Sequence, residues 1–393
     1  MTELAESLVE QGVEVTALAG RGRYNGGERL VPEEGYKGAR IRRAWSTSFG
    51  KKNIIGRLFD YASFYLGATV ALVRMPRHDI VMALTTPPLI GLVALLVGRL
   101  RGMRVVSLVQ DVYPDIAVAV GALSASNPAT RILDWLNRFV LRGVDRTIVL
   151  SDCMRDRIAA KVANRLSTID VIHNWADGEK IVPLDADNPF VAANGLEGAF
   201  VVLFSGNFGN VNEFSTVLEA AHRLSERTNI VFLFIGEGAK ANEIRDYAEQ
   251  HGLNNIRLLS YQPLSLLPFS LAAGDVSLVT LADGLAGLSV PSKTYAILAS
   301  GRPILFVGDL KSDIARLVLD NQCGAAVAAG DSARLSEIIL EWSLDPAKMS
   351  DLGTEARKLF ERRFDRGMAV AAYMQTFERC METEPRPLLV TSH

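Results

Sequence analysis

The sequence predicts an α/β protein of two doubly wound halves that face each other across a cleft. Three observations carry this reading: short apolar runs alternate with helical stretches along the chain, the second half repeats that rhythm through six strands, and a polar loop separates the halves. At 393 residues the chain has room for two domains, each able to bury a sizeable core. With 42 Lys and Arg against 44 Asp and Glu there is no global basic field, so a nucleic-acid partner finds no support in the charge balance. A phosphate-bearing ligand must be held locally.

From the start, residues 2–11 read as an acidic amphipathic helix closed by Gly12, and 13–18 (VEVTAL) as a strand. The strand and turn that should open this unit would precede Met1, so the chain reads as short at its start; a fold that begins with a helix is the alternative. The first twelve residues have no basic segment leading an apolar core, so they are no secretory signal, and a cytoplasmic protein is expected. Cys153, Cys323 and Cys380 lie far apart, which suggests neither a disulfide framework nor a cysteine-rich zinc site.

Runs at 79–87, 104–111, 146–152 and 169–174 read as parallel strands with crossover helices between them. The helix from 126 is well marked: Ser126 or Asn127 caps it, Pro128 suits its first turn and Gly143 closes it. The apolar segment 89–100 is shorter than the roughly 18 residues that span a bilayer and carries Arg99, so it is no transmembrane helix. A loop at 175–198, rich in Asp, Gly, Asn and Pro, is the expected linker. Strands are then expected at 200–206, 230–236, 256–261, 276–281, 303–308 and 325–329, a doubly wound sheet. The expected domains are 1–183 and 196–364, with 365–393 a helix and tail; the terminal helices either brace both domains or cap the second.

The sharpest generic motif is Gly236-Glu237-Gly238-Ala239-Lys240-Ala241, a GxGxxA between a strand and a helix. The acid expected about 20 residues on is missing. The motif is therefore compatible with a dinucleotide turn, a plain tight turn or another kind of nucleotide site. More informative are the strand ends Gly206-Asn207-Phe208-Gly209, Gly236-Glu237-Gly238 and Ser260-Tyr261-Gln262-Pro263, with the stretch 284–308. Open α/β sheets bind ligands at such carboxyl ends. Around Ser292 the chain enters a helix whose N–H groups and dipole suit a diphosphate, with Lys293 adding charge. Alternatively, Ser292 caps the helix and Lys293 is solvated. His173 at a strand end either lines the cleft or is structural, and His78, His222 and His251 have no metal spacing.

The combination of GNFG, FLFIGEG, the Pro291-Ser292-Lys293 segment, ASGRPILFVG and CGAAVAAGD resembles glycosyltransferase family 4, in the branch of capsule, O-antigen and exopolysaccharide assembly. LTTPPLIG (84–91), LVQDVYPDIAVAVGAL (108–123) and VIHNWAD (171–177) are similar to the same branch. The resemblance implies the GT-B fold, two Rossmann-like domains with a nucleotide-sugar donor on the second and the acceptor on the first. It also implies a transferase of the hexosyl or N-acetylhexosaminyl type that retains anomeric configuration and needs neither a metal nor a cofactor.

Carried over by position, the family's paired glutamates fall on Leu288 and Ala296, and its Arg and Lys near the diphosphate fall on Asn207 and Asn212. Lys293 is the candidate for the missing positive charge. The amino-domain histidine falls on Gln110, followed by Asp111, and the glycine-rich loop would precede Met1. The resemblance thus implies donor contacts at Gly206, Asn207, Asn212, Gly236, Glu237, Tyr261, Ser289, Pro291, Ser292, Lys293 and Thr294. It implies catalytic roles for Asp111 and Gln110.

Loss of a nucleoside diphosphate builds negative charge on the leaving oxygen, which oriented N–H groups and a lysine stabilise. The acceptor hydroxyl needs a hydrogen-bond acceptor, Asp111 in preference to Asp115. The competing reading of 111–115 is a turn whose aspartates bond their own backbone. Two rival functions stand beside transfer: a nucleotide-sugar epimerase of GT-B form, and a degenerate nucleotide-sugar-binding protein. The acceptor expected is a saccharide or lipid-linked saccharide. Segment 57–104 mixes apolar surface with Arg74, Arg77, Arg99, Arg101 and Arg104, which suits peripheral contact with the inner face of the plasma membrane or, equally, a buried helix with a basic cap.

Overall fold

The computed structural model describes residues 1–22, 30–47, 54–162, 165–185 and 188–382. The first domain opens with α1 (Thr2–Glu10), β1 (Thr16–Gly20), β2 (Glu33–Tyr36), β3 (Ala39–Ala44) and α2 (Ile54–Arg74). It continues through β4 (Ile80–Leu84), α3 (Ile90–Leu100), β5 (Arg104–Val109), α4 (Asp115–Ala119), α5 (Pro128–Gly143), β6 (Arg146–Val149), α6 (Asp152–Lys161) and β7 (Ile169–Val171). The strands β4-β5-β6-β7 form one parallel sheet, and β1-β3-β2 form a second. Asn127 caps α5 by accepting the Ala129 amide, with Pro128 at the first helical position, as its sequence predicts.

The polar linker is not wholly irregular. It contains α7 (Pro189–Ala193), capped by Asn188. The second domain then runs β8 (Phe200–Ser205), α8 (Ser215–Arg223), β9 (Ile230–Ile235), α9 (Ala241–Gln250), β10 (Ile256–Leu259), α10 (Leu267–Ala272), β11 (Val276–Thr280), α11 (Lys293–Ala299), β12 (Ile304–Val307), α12 (Asp313–Asp320), β13 (Gly324–Val327) and α13 (Ser332–Ser343). Its parallel sheet has the order β10-β9-β8-β11-β12-β13. The order reverses beside β8, which opens a crevice at the carboxyl ends of β8 and β11.

Both faces of this sheet are covered, and the sequence shows why. Along β8 and β9, Val201, Leu203, Val231, Leu233 and Ile235 join one apolar core, while Val202, Phe204, Phe232 and Phe234 join another on the opposite face. Strands buried on both sides need an unbroken apolar run rather than alternation. The first of these cores continues into the other domain through Val106, Ile148 and Met154.

Two helices close the chain, α14 (Pro346–Arg363) and α15 (Arg366–Glu382). Between them Asp365 pairs with Ala176: the Ala176 amide donates to the Phe364 carbonyl (3.3 Å) and the Arg366 amide donates to the Ala176 carbonyl (3.1 Å). Beyond this crossing α15 packs on the first domain. Its Tyr373 ring meets Trp175 edge-on, Arg379 pairs with Asp170 (2.9 Å), and Arg366 with Asp177 (3.4 Å). The terminal helix therefore braces the two domains. The tail expected at 383–393 lies outside the described residues.

Candidate active site

The loops after β8 and β9 interlock through glycines. A Cβ on Gly236 would lie 1.9 Å from the Gly206 carbonyl oxygen, and one on Gly238 would lie 2.6 Å from both the Asn207 Oδ1 and the Phe208 carbonyl. Backbone bonds complete the lock: Phe208 N–H donates to the Glu237 carbonyl (2.8 Å), and Lys240 N–H to the Phe208 carbonyl (2.9 Å). The GxGxxA glycines thus admit a neighbouring loop where a dinucleotide turn would admit a pyrophosphate. Beneath them Phe204, Phe208, Phe214 and Phe234 pack with ring centroids between 4.9 and 6.3 Å apart.

Asn212 is buried and spends its side chain on this frame. Its Nδ2 donates to the carbonyls of Asn207 (3.0 Å) and Gly209 (3.1 Å), and its Oδ1 accepts from Thr280 Oγ1 (3.2 Å). Lys240 Nζ donates to the Asn212 carbonyl (2.8 Å). Asn207, Glu237 and Tyr261 are exposed at the three strand ends. Ser292 is exposed too and begins α11 without a capping bond from its hydroxyl.

Lys293 follows, and its geometry is unusual for a lysine. The Nζ lies 3.1 Å from the centre of the Phe204 ring, 3.2 Å from where a Gly206 Cβ would stand, and is buried with no hydrogen-bond partner. Burial holds its pKa well below the ordinary lysine range. The adjacent Thr294 is fully buried, its Oγ1 likewise without a partner. Ser289 and Pro291 are half-buried. Leu288 is buried and Ala296 half-buried, so apolar side chains stand where the resemblance places the family's glutamates.

From the first domain, Gln110 and Asp111 follow β5. Thr85 Oγ1, at the end of the neighbouring β4, accepts both of their amides (3.2 and 3.3 Å). Asp111 then reaches the other domain. Its backbone bridges Ser289 antiparallel, and Val112 N–H donates to the Leu288 carbonyl (2.9 Å), which sets the Ser289 side chain beside the Asp111 carboxyl. Burial pushes that carboxyl above the ordinary aspartate range, and Ser289 offsets part of the shift.

Asp115 has a different partner. It pairs with Lys161, whose ammonium also binds Asp134 (2.6 Å). The two aspartates therefore face Ser289 and Lys161 rather than forming the self-bonded turn, and Asp111 is the one at the domain junction. His173 is a packing residue: Nδ1 lies 3.0 Å from the Leu150 carbonyl, the ring meets Phe364 edge-on, and burial lowers its pKa. Sequence reading passed over Thr85, whose position at a strand end was its signal, and Phe204, which carried none.

Comparison with known proteins agrees with this architecture. The glycosyl transferase 4-like domain family matches residues 1–175, and the glycosyl transferases group 1 family matches residues 189–359. A probable glycosyltransferase of Pseudomonas aeruginosa, WbjE, is 31% identical over 320 residues, which cover 81% of this chain and 77% of that protein. Sucrose-phosphate synthase from Thermosynechococcus elongatus superposes with a TM-score of 0.75 at 15% identity, over 96% of this chain and 91% of that one. HepE of Anabaena, solved in complex with UDP-glucose, gives 0.67 at 16% identity, over 87% and 86%. With both halves matched in order on two Rossmann-like domains, the chain belongs to the family 4-like glycosyltransferases of the GT-B fold.

Proposed function

We propose that this glycosyltransferase moves a sugar from a UDP-linked donor on the second domain to a saccharide or lipid-linked saccharide acceptor on the first. The acceptor is a precursor of a bacterial surface polysaccharide. One observation carries the reading: Asp111, at a strand end of the first domain, pairs through its backbone with Ser289, four residues before Lys293, and the Val112 amide donates to the Leu288 carbonyl (2.9 Å). This supports an acceptor-side carboxylate and a donor-side cation serving one reaction centre.

In the reaction the bond between the sugar C1 and the diphosphate oxygen breaks, and negative charge gathers on that oxygen. Lys293 and the Asn207 N–H, just beyond the Gly206 amide that the sheet uses, stabilise it, with Asn207, Glu237, Tyr261, Ser292 and Thr294 shaping the pocket. Asn212 acts through the loop it frames. Asp111 accepts a hydrogen bond from the attacking hydroxyl and orients it, and Gln110 is its neighbour on the strand end. Transfer proceeds with retention and without a metal. UDP-glucose in the HepE complex supports the uridine donor. WbjE supports a transferase assignment.

The first test is calorimetry with UDP, GDP, dTDP and ADP, followed by a product assay with acceptor. Preference for UDP and acceptor-dependent loss of donor support the reading. Product from donor alone would replace it with an epimerase. Leu288 and Ala296 favour a second reading, a nucleotide-sugar binder without turnover, which binding with no product would establish.

Peripheral membrane contact is part of the same proposal. Exposed Phe59, Leu66, Val70 and Val73 on α2, with Leu96 and Leu100 on α3, support it. The arginines support it less. Arg99 pairs with buried Asp145 (2.8 Å), and Arg101, Arg104 and Arg77 donate to the carbonyls of Leu72 (2.6 Å), Met381 (3.5 Å) and Gly102 (3.0 Å), which leaves Arg74 as the more available charge. Among the described residues, no helix is long and apolar enough to cross a membrane.

A further inference from the structure

Lys293 poses a problem of charge. An ammonium without a hydrogen-bond partner, removed from water, is costly, and the cation–π contact with Phe204 returns only part of that cost. The balance favours the uncharged amine. Charged groups on the surrounding elements do not change this. Glu213, after β8, bonds Ser215 and Thr216; Lys240, after β9, bonds the Asn212 carbonyl; Glu237 after β9, Asp283 after β11 and Asp309 after β12 make no bond to Lys293. Tyr295, its neighbour on α11, is itself held neutral by burial. Burial is the cause that lowers the Lys293 pKa.

Yet the amine stands directly under Gly206, in the crevice where β8 and β11 diverge, and its residue as a whole is only half-buried. The flexible four-carbon stem of a lysine allows Nζ to swing from the ring towards the loop after β8. A diphosphate placed there supplies the negative charge that the resting site lacks.

We propose that donor binding recharges Lys293: the arriving diphosphate draws one proton from solvent onto Nζ, so that each binding event consumes a proton and each release of nucleotide returns it. The proposal rests on the donor site assigned above and adds a pH dependence to it. The cation is then present only while there is an anion to meet. An empty site carries no exposed cation to trap free phosphate, and the donor's affinity follows the proton concentration.

Calorimetry of UDP-glucose binding tests this at fixed pH in buffers of different ionisation enthalpy, and again from pH 7.0 to 8.5. The diphosphate of UDP-glucose has no group titrating in that interval. The expected result is uptake of close to one proton and a Kd that rises about tenfold per pH unit in the wild type. Lys293→Met should bind more weakly, with no uptake and a flat pH profile. Lys293→Arg, permanently charged, should show no uptake either, and serves if the methionine variant fails to fold. Binding without proton uptake in the wild type would overturn the proposal and leave the donor site standing. If UDP-, GDP-, dTDP- and ADP-glucose all fail to bind, the donor assignment and the proposal fall together.

Discussion

Asp111 of the first domain and Ser289 of the second pair through their backbones, which sets the Ser289 hydroxyl beside the Asp111 carboxyl, where it lowers that group's pKa. Burial raises the Asp111 pKa and Ser289 lowers it, so Ser289→Ala leaves the upward push unopposed. The ionised carboxylate is the form that accepts a proton or a hydrogen bond, so activity exists above the pKa and is lost as pH falls through it. The acid limb of kcat/KM in Ser289→Ala should therefore move to higher pH. An unchanged limb would mean that Asp111 does not control it.

Asp111→Asn and Asp115→Asn should separate chemistry from structure. The first should lower kcat by about 10²–10⁴ with nucleotide affinity retained. The second removes a partner of Lys161, which still holds Asp134, and should cost about 1 kcal/mol in urea unfolding with kcat nearly intact. The reverse pattern would transfer the acceptor role to Asp115.

Lys293→Met should stabilise the unliganded protein by about 1–3 kcal/mol near neutral pH, because it replaces a buried amine that lacks a partner. The sign follows from linkage. The folded-state pKa lies below the unfolded one, so the unfolded chain binds more protons and wild-type stability rises with pH between the two. The advantage of methionine should accordingly shrink from pH 6 to pH 9. Urea midpoints at the two extremes check it.

Gly236→Ala places a Cβ 1.9 Å from the Gly206 carbonyl oxygen at a backbone φ of +147°. The loops after β8 and β9 must separate, and UDP affinity should fall at least about tenfold, with roughly 1–3 kcal/mol lost from stability. Gly252→Ala is the control. It has positive φ but no atom within 4 Å of the added carbon, so about 1 kcal/mol and unchanged binding are expected.

Replacing Phe59, Leu66 and Val73 together by serine removes three exposed apolar groups from α2. Sedimentation with vesicles of anionic phospholipid should drop, with far-ultraviolet circular dichroism unchanged. Wild-type protein that ignores such vesicles at low salt would remove the membrane from the proposal.

The fold was legible wherever burial demanded an apolar run. All six residues of β9 are buried, and IVFLFI announces them. By contrast, β2 and β3 were not anticipated. EEGY and ARIRRA carry charge where periodicity would be read, and they are held by the pairs Arg42–Glu33 and Arg43–Glu34 around a turn at Lys37 and Gly38, both at positive φ. In the site, strand ends were readable because topology places ligands there. The burial of Lys293 was not, since Pro-Ser-Lys reads equally as a solvated charge, and only packing against Phe204 distinguishes the two. Nor was Asn212's commitment to its own loop, which depends on Thr280 from a distant strand.

The crossing of Ala176 and Asp365 has a mechanical consequence. The chain passes between the halves twice, and the two passages are stitched side by side by backbone hydrogen bonds. A doubled seam resists sliding and twisting while leaving flexion about its own line comparatively soft, so one rotational coordinate should dominate the domains' relative motion. Along that coordinate displacement grows with distance from the seam. A label pair set far from it reports small angles as large changes in separation.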